Sequence, residues 1–275
     1  MGKTLYISDL DGTLLGENVR ISKFTADTIN SLIRGGMLFT FATARSVTTA
    51  KMVTEGLDIR LPVILNNGVF IADYSDGNVR HSSPIGENTI RLLLDTIERE
   101  KISALVYSMI GGRERVSWLL GRENEGIRSY VGARSPWDKR LRPVETHEQL
   151  AAGDIFYITI IEGKERAHVI HRSFAGLDVT SMITNDIYAR DEWWVELYGA
   201  GVSKGAAVKK LKEMLGAGRT VCFGDGSNDL PMFRCCDEAY AMSDSVEVLK
   251  VNATAVIGSN QEDAVARWLL ENGDR

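Results

Sequence analysis

Ile7-Ser8-Asp9-Leu10-Asp11-Gly12-Thr13-Leu14 is the stretch from which the rest of the chain can be read. Thr4 to Ile7 is short, apolar and rich in β-branched residues, as a buried strand requires, and it breaks at once into carboxylate, apolar, carboxylate, glycine and hydroxyl. Side chains of an extended segment alternate between faces, so Asp9 and Asp11 are expected on one side, close enough for like charges to repel. A hard divalent cation with oxygen ligands, Mg²⁺ being the one that fits, relieves that repulsion and leaves a carboxylate for chemistry. Taken alone, Asp-Leu-Asp-Gly also reads as a polar turn, so the remaining strand ends decide.

Those ends repeat the pattern. Ser22 caps an expected helix with Phe24, Thr28, Ile29, Leu32 and Ile33 on one face and a stop at Gly35-Gly36. Met37 to Ala42 is then a continuous apolar strand. Strand, helix and strand within about forty residues form a βαβ unit, and a strand without polar alternation is buried on both faces of a parallel sheet. The fold class expected is α/β, with a doubly wound, Rossmann-like parallel sheet. The second strand ends in Thr43-Ala44-Arg45, and the third, Pro62 to Leu65, in Asn66-Asn67-Gly68. A hairpin with an Asp76-Gly77 turn follows. In open parallel sheets the ligand crevice lies at the carboxyl ends of strands, which is where these polar residues fall.

From about Ser82 the texture changes to a helix carrying Ile90, Leu93, Leu94 and Ile97, and a strand from Ala104 to Met109. A loop-rich stretch from Gly111 to Pro143 is expected next, then a strand from Ile155 to Ile161, a helix near Arg166 to Phe174, and strands near Val179 to Thr184 and Trp193 to Leu197. This reads as an inserted α+β module, which gives expected boundaries of 1–81 for the first part of the core, 82–190 for the insert and 191–275 for the rest of the core. The core pattern then resumes. Ser203-Lys204-Gly205 opens a helix with Val208, Leu211, Met214 and Leu215 on one face, and the buried strand Thr220 to Phe223 runs into Gly224-Asp225-Gly226-Ser227-Asn228-Asp229.

At 275 residues, 44% hydrophobic and 25% charged, the chain has the makeup of an ordinary two-domain globular protein. A formal net charge of −5 offers no basic footprint for nucleic acid or an anionic membrane. Three cysteines without metal-site spacing favour a reducing compartment, and no signal segment or bilayer-length apolar run is visible, so a cytoplasmic location is expected. The oligomeric state expected is a monomer or small homo-oligomer.

Each site residue has an ordinary structural role as well. Thr43 serves equally as a helix N-cap, Lys204 as a surface lysine, and the Gly224 to Asp229 run as a turn-rich loop. Order and spacing favour chemistry. A carboxylate pair, a hydroxyl, a lysine at a helix start and a second acidic cluster are what phosphoryl transfer needs.

In four motifs taken in order, Asp9 to Leu14, Thr43 to Arg45, Ser203 to Gly205 and Gly224 to Asp229, the chain resembles the haloacid dehalogenase (HAD) superfamily. Within it, the resemblance is to the Cof-type, subfamily IIB sugar-phosphate phosphatases with a large α/β cap. Asn67-Gly68, Ala241-Met242 and Asn260 to Asp263 are further echoes. The resemblance implies that Asp9 attacks phosphorus to form an aspartyl-phosphate, and that Asp11 protonates the leaving alcohol and later activates water. It implies phosphate binding by Thr43, Ala44, Arg45, Asn67, Lys204 and Asn228, with Lys204 also offsetting charge at the nucleophile. It implies Mg²⁺ held by Asp9, Asp11 through its backbone carbonyl, Asp225, Asn228 and Asp229. The family usually has Thr-Gly-Arg where this chain has Ala44, a methyl that should be tolerated, and Arg234-Cys235-Cys236-Asp237 stands where small apolar residues are common. The insert corresponds to a type C2 cap that closes over the core and selects substrate, for which Arg113, Arg115, Trp118, Arg122, Arg134 and Trp137 are candidates. The substrate implied is a small phosphorylated metabolite, a sugar phosphate above all. A phosphotransferase or phosphomutase on the same scaffold and a non-catalytic phospholigand-binding protein are the alternatives.

Overall fold

The computed structural model describes residues 3–185 and 191–273 and divides into two compact units, 1–82 with 202–275, and 83–201. In chain order the first unit opens with strand β1 (Thr4–Ser8), helix α1 (Lys23–Arg34), β2 (Leu38–Phe41), α2 (Val47–Val53), β3 (Pro62–Leu65), β4 (Phe70–Asp73) and β5 (Val79–Ser82). The second unit holds α3 (Glu87–Arg99), β6 (Leu105–Ile110), β7 (Arg113–Leu119), α4 (Glu125–Arg134), β8 (Leu141–Val144), α5 (His147–Leu150), β9 (Asp154–Glu162), α6 (Lys164–Ser173), β10 (Val179–Asn185) and β11 (Trp193–Gly199). The chain then returns with α7 (Lys204–Leu215), β12 (Arg219–Gly224), α8 (Leu230–Phe233), β13 (Glu238–Ala241), α9 (Glu247–Lys250), β14 (Ala255–Val256) and α10 (Ala264–Asn272).

The first unit is the doubly wound sheet that its apolar strands predict. Its order is β14-β13-β12-β1-β2, every pair parallel, with β1 between the two halves of the chain. One parallel bridge, Ala42 to Ile64, carries the pattern on toward β3, which pairs antiparallel with β4. All five residues of β1 are buried because both faces are covered. Tyr6, Val221 and Phe223 pack with Ile29 and Ile33 of α1 and Val265 and Leu269 of α10, while Leu5, Ile7 and Cys222 pack with Val208 and Leu211 of α7 and Met232 of α8. Each fully buried Leu or Ile contributes roughly 1.5–3 kcal/mol, so a strand apolar on both faces is held at the centre of the sheet. Ser22 caps α1 as expected, its hydroxyl accepting the Thr25 N–H at 3.0 Å. Two residues placed on buried helix faces are half-exposed instead, Phe24 at 40% and Met214 at 42%. The Arg267 guanidinium covers the Phe24 ring at 5.0 Å. The cysteines are free thiols.

The second unit is a six-stranded sheet of order β10-β11-β9-β6-β7-β8, antiparallel except for the β7–β8 pair. Ile158, Ile160, Val195 and Leu197 on one face pack with Leu93 and Ile97 of α3 and Ala167 and Ile170 of α6. Two expectations are corrected here. The supposedly loop-rich stretch from Gly111 to Pro143 contains β7, α4 and β8. Its signal was Gly111-Gly112, both at positive φ, which turns β6 into β7 as a two-residue hairpin loop, and Asn124, whose side chain caps α4 by accepting the Ile127 N–H. The module boundary expected after residue 190 falls outside the described residues, and β11 pairs with β9 and β10, so the second unit extends to Gly201. Trp193 and Trp194 therefore belong to that sheet, Trp193 beside His168 with ring centroids 5.0 Å apart and Trp194 beside Tyr130 at 5.9 Å.

Candidate active site

Sheet topology gathers the polar strand ends along one edge of the first unit. β1, β2 and β12 are neighbours running in the same direction, so Asp9, Thr43 and Asp225 leave the sheet at the same end. Lys204 is the first residue of α7, which Ser203 caps through the Ala206 N–H at 3.1 Å. Its neighbour must be glycine, since a Cβ on Gly205 would lie 2.2 Å from the Pro231 carbonyl oxygen.

The centre of the site is a buried charge network. The Lys204 ammonium, 1% exposed, donates to Asp9 Oδ1 and Asp229 Oδ1, each at 2.7 Å. Burial works against that ammonium, but Asp229 and Asp9 outweigh it and hold its pKa above the ordinary lysine value. Asp229 spends its other oxygen on the backbone N–H groups of Asp225 and Gly226, at 3.0 and 3.1 Å, which folds the Gly224 to Asp229 loop around it. The Thr13 hydroxyl donates to Asp225 Oδ1 at 3.0 Å. Gly12, at φ +74°, lets that approach happen, because a Cβ there would stand 2.2 Å from Asp225 Oδ2.

Asp9, Asp225 and Asp229 bring ligand atoms within 4.8 Å of one another. One ammonium does not satisfy three carboxylates. Burial first, and then the Asp229 charge, raise the Asp9 carboxyl from 3.8 to about 7 against the pull of Lys204. Burial and the Asp9 charge likewise push Asp225 well above the carboxylate range. A donor set of crowded carboxylate oxygens short of positive charge fits a hard divalent cation. Asp229, with both oxygens already engaged, orients the loop, so Asp9 and Asp225 are the side chains best placed to hold the ion.

Asp11 lies apart from that cluster. Its carboxylate faces Arg45, which meets it with two donors, Nε to Oδ2 at 2.7 Å and Nη2 to Oδ1 at 2.5 Å. Asp9 and Asp11 thus face separate cations, Lys204 and Arg45, although the Asp11 charge still adds to those that raise Asp9. Thr43 does not cap α2, a role that Ser46 takes through the Thr49 N–H. The Thr43 hydroxyl oxygen accepts the Arg45 N–H at 3.1 Å and keeps its own proton to give. Ala44, half-buried, follows the buried Thr43.

Asn67 is 1% exposed, and its side-chain oxygen accepts from the Asn228 amide at 3.1 Å, so it positions Asn228. Asn66 and Asn67 both sit at positive φ and tie this turn to the neighbouring strand end, Asn66 N–H to the Arg45 carbonyl at 3.1 Å and Asn67 N–H to the Thr43 carbonyl at 3.0 Å. Gly68 is required where it is, since a Cβ would lie 2.3 Å from the Ser203 carbonyl oxygen. The late echo, Asn260 to Asp263, is structural. Asn260 donates to the Leu15 carbonyl at 2.7 Å, and Asp263 accepts from Ser22 and Thr25 at 2.5 and 2.9 Å.

The candidates in the second unit are dispersed. Trp118 is buried and donates to Glu123, Arg115 donates to the Lys139 carbonyl, Arg134 stacks 3.7 Å from the Tyr130 ring centroid, and Trp137 donates to the Ala133 carbonyl. Arg113 begins β7, and Arg122 follows its end.

Comparison with known proteins fits this geometry. The family model for haloacid dehalogenase-like hydrolases matches residues 6–269. The chain belongs to that family. Within the HAD family it is of the Cof type, and it is an enzyme, a phosphatase. It is 25% identical over 268 residues to the Bacillus subtilis (strain 168) 5-amino-6-(5-phospho-D-ribitylamino)uracil phosphatase YitU, covering 96% of this chain and 95% of that one. Its fold is similar to that of TM0651 from Thermotoga maritima, with a TM-score of 0.79 and 23% identity over 100% of this chain and 99% of the other. It is also similar to the HAD subclass IIB sugar phosphatase BT4131, with a TM-score of 0.76 and 19% identity over 98% and 99% of the two chains. Among the described residues, no helix is long and apolar enough to cross a membrane.

Proposed function

We propose that this HAD phosphatase is Mg²⁺-dependent and hydrolyses a small phosphorylated metabolite, a sugar phosphate or a similar polyol phosphate, through an aspartyl-phosphate on Asp9, in the cytoplasm. The observation that carries the reading is the buried Lys204 ammonium 2.7 Å from both Asp9 and Asp229. It fixes one oxygen of Asp9 and leaves the other to attack phosphorus. Asp9 Oδ2 forms the new bond to phosphorus, the bond from phosphorus to the leaving oxygen breaks, and the Asp11 carboxyl gives that oxygen its proton. Asp11 then takes a proton from water as the water oxygen displaces Asp9 and releases phosphate. Thr43, Lys204 and Asn228 are the donors best placed for the phosphate oxygens. Arg45 and Asn67, which the family pattern also assigns to phosphate, have the partners described above. Mg²⁺ held by Asp9 and Asp225, with the Asp11 carbonyl, Asn228 and Asp229 completing or orienting its shell, would neutralise charge on the transferring group.

YitU is named for a phosphoribitylaminouracil substrate and BT4131 as a sugar phosphatase, so phosphates on polyhydroxylated carbon chains are the class to try first. Phosphate release is measured over sugar phosphates, polyol phosphates, nucleotides and an aryl phosphate, with Mg²⁺ and with chelator. Release that needs Mg²⁺ and ranks sugar or polyol phosphates highest is the expected result. Equal release in chelator overturns the metal dependence, and a preference for nucleotides overturns the substrate class. A sugar acceptor in the same assay identifies phosphoryl transfer if a phosphorylated acceptor appears.

A second expectation concerns stability. A carboxyl whose folded pKa lies above its unfolded value contributes stability that is present below the unfolded pKa and lost as pH rises through the folded one. For Asp9 that window runs from 3.8 to about 7, and Asp225 shifts the same way. The metal-free protein therefore melts lower at about pH 8 than at about pH 5, and Mg²⁺ raises the melting temperature more at the higher pH. An Mg²⁺ effect of equal size at both values would count against the three-carboxylate site.

A further inference from the structure

Arg45 is held where it stands by backbone as well as by side chain. Its N–H donates to Thr43 Oγ1 at 3.1 Å, and its carbonyl accepts the Asn66 N–H at 3.1 Å, so the residue is fixed between the ends of β2 and β3. From there the guanidinium fork meets both oxygens of Asp11, at 2.7 and 2.5 Å. Asp11 needs such a guide. It lies in the turn after β1, its neighbour Gly12 is at φ +74°, and its side chain is 27% exposed against 21% for Arg45. A pair that open to water adds little to stability, but two parallel N–H donors set the plane and direction of a carboxylate as one ammonium does not.

We propose that Arg45 is a positioning residue for Asp11, fixing where the oxygen that exchanges protons with the leaving group stands, and that it is not a binder of the transferred phosphate. The proposal rests on the phosphatase reading of the site. The proton that leaves Asp11 goes to the leaving oxygen as the bond from that oxygen to phosphorus breaks, and the proton from water returns to Asp11 in the second half. For either transfer one Asp11 oxygen leaves the fork while the other stays on Arg45, which keeps the carboxyl aimed. Proton delivery matters most when the leaving oxygen is basic, as in an alkyl or sugar ester, and least when it is acidic, as in a nitrophenyl ester.

The test is kcat/KM for an alkyl phosphate and for 4-nitrophenyl phosphate, in wild type, Arg45→Ala, Arg45→Lys, Asp11→Asn and the Arg45→Ala/Asp11→Asn double variant, with melting temperatures as a check on folding. Arg45→Ala is expected to lose about 10²-fold on the alkyl ester and less than about 5-fold on the nitrophenyl ester, within the range of general acid catalysis. Arg45→Lys, keeping one donor, should fall between. Arg45→Ala added to Asp11→Asn should change kcat/KM by less than about 3-fold, since the two residues act as one unit. Equal losses on both esters, with weaker competitive inhibition by inorganic phosphate, would show a phosphate binder and overturn the proposal. So would losses that multiply in the double variant. A folded wild type that hydrolyses neither ester nor any member of the panel overturns the phosphatase reading, and this inference falls with it, whereas the first two outcomes leave that reading intact.

Discussion

Asp9→Asn is expected to lower phosphate release by at least about 10⁴-fold, the scale of loss when a catalytic nucleophile is removed. The substituted amide has nearly the same shape, and its oxygen still accepts from Lys204, so the loss is one of chemistry. An amide is a poor nucleophile toward phosphorus, and it brings no negative charge to the cation. Stability should move the other way. Burial and Asp229 already disfavour charge at this position, so removing it relieves more repulsion than it forfeits in attraction to Lys204. The metal-free variant is therefore expected to melt no lower than wild type near neutral pH, while the rise in melting temperature on adding Mg²⁺ shrinks. Phosphate release and thermal melting on the same preparation check both parts. A variant retaining a hundredth or more of wild-type turnover would remove Asp9 from the role of nucleophile.

Lys204→Ala is the most damaging single substitution expected for stability. It leaves Asp9 and Asp229 buried without the ammonium that both contact at 2.7 Å. Breaking a buried ion pair from one side costs about 3–5 kcal/mol, because the remaining charge is left without compensation. The loss should appear as a lower melting temperature of the unit that holds the site, largest without metal and partly restored by Mg²⁺. Activity falls as well, by about 10²–10³-fold for the loss of an electrostatic donor. Unchanged melting in metal-free protein would mean that Asp9 and Asp229 find other partners, and the network would not have the central role given to it here.

The sequence carried the parts of this molecule that local rules dictate. β1, β2 and β12 are apolar on both faces, and such strands fit only the middle of a parallel sheet with helices on either side. Ser22 and Ser203 mark helix starts through local hydrogen bonds, so their roles were readable in a few residues. The stretch around Gly111 was harder, because the arginines of β7 blur its alternation and leave only short signals, the glycine pair and the Asn124 cap. The edge of the second unit was misplaced because membership of a sheet depends on which strands pair, and the pairing of β11 with β9 joins residues far apart in sequence.

By itself, then, the sequence determined the α/β class and the strand ends at which polar residues gather, since these follow from hydrophobic period, capping and motif order. The family resemblance put Lys204 beside the nucleophile, but which atoms meet was decided by the tertiary structure. Lys204 lies 195 positions from Asp9 and Thr13 lies 212 from Asp225, while Arg45 reaches Asp11 across 34. No local preference encodes such contacts. They arise because burial in parallel register brings the ends of β1, β2 and β12 to one edge, where each buried carboxylate must take whatever donor or cation the fold places within reach.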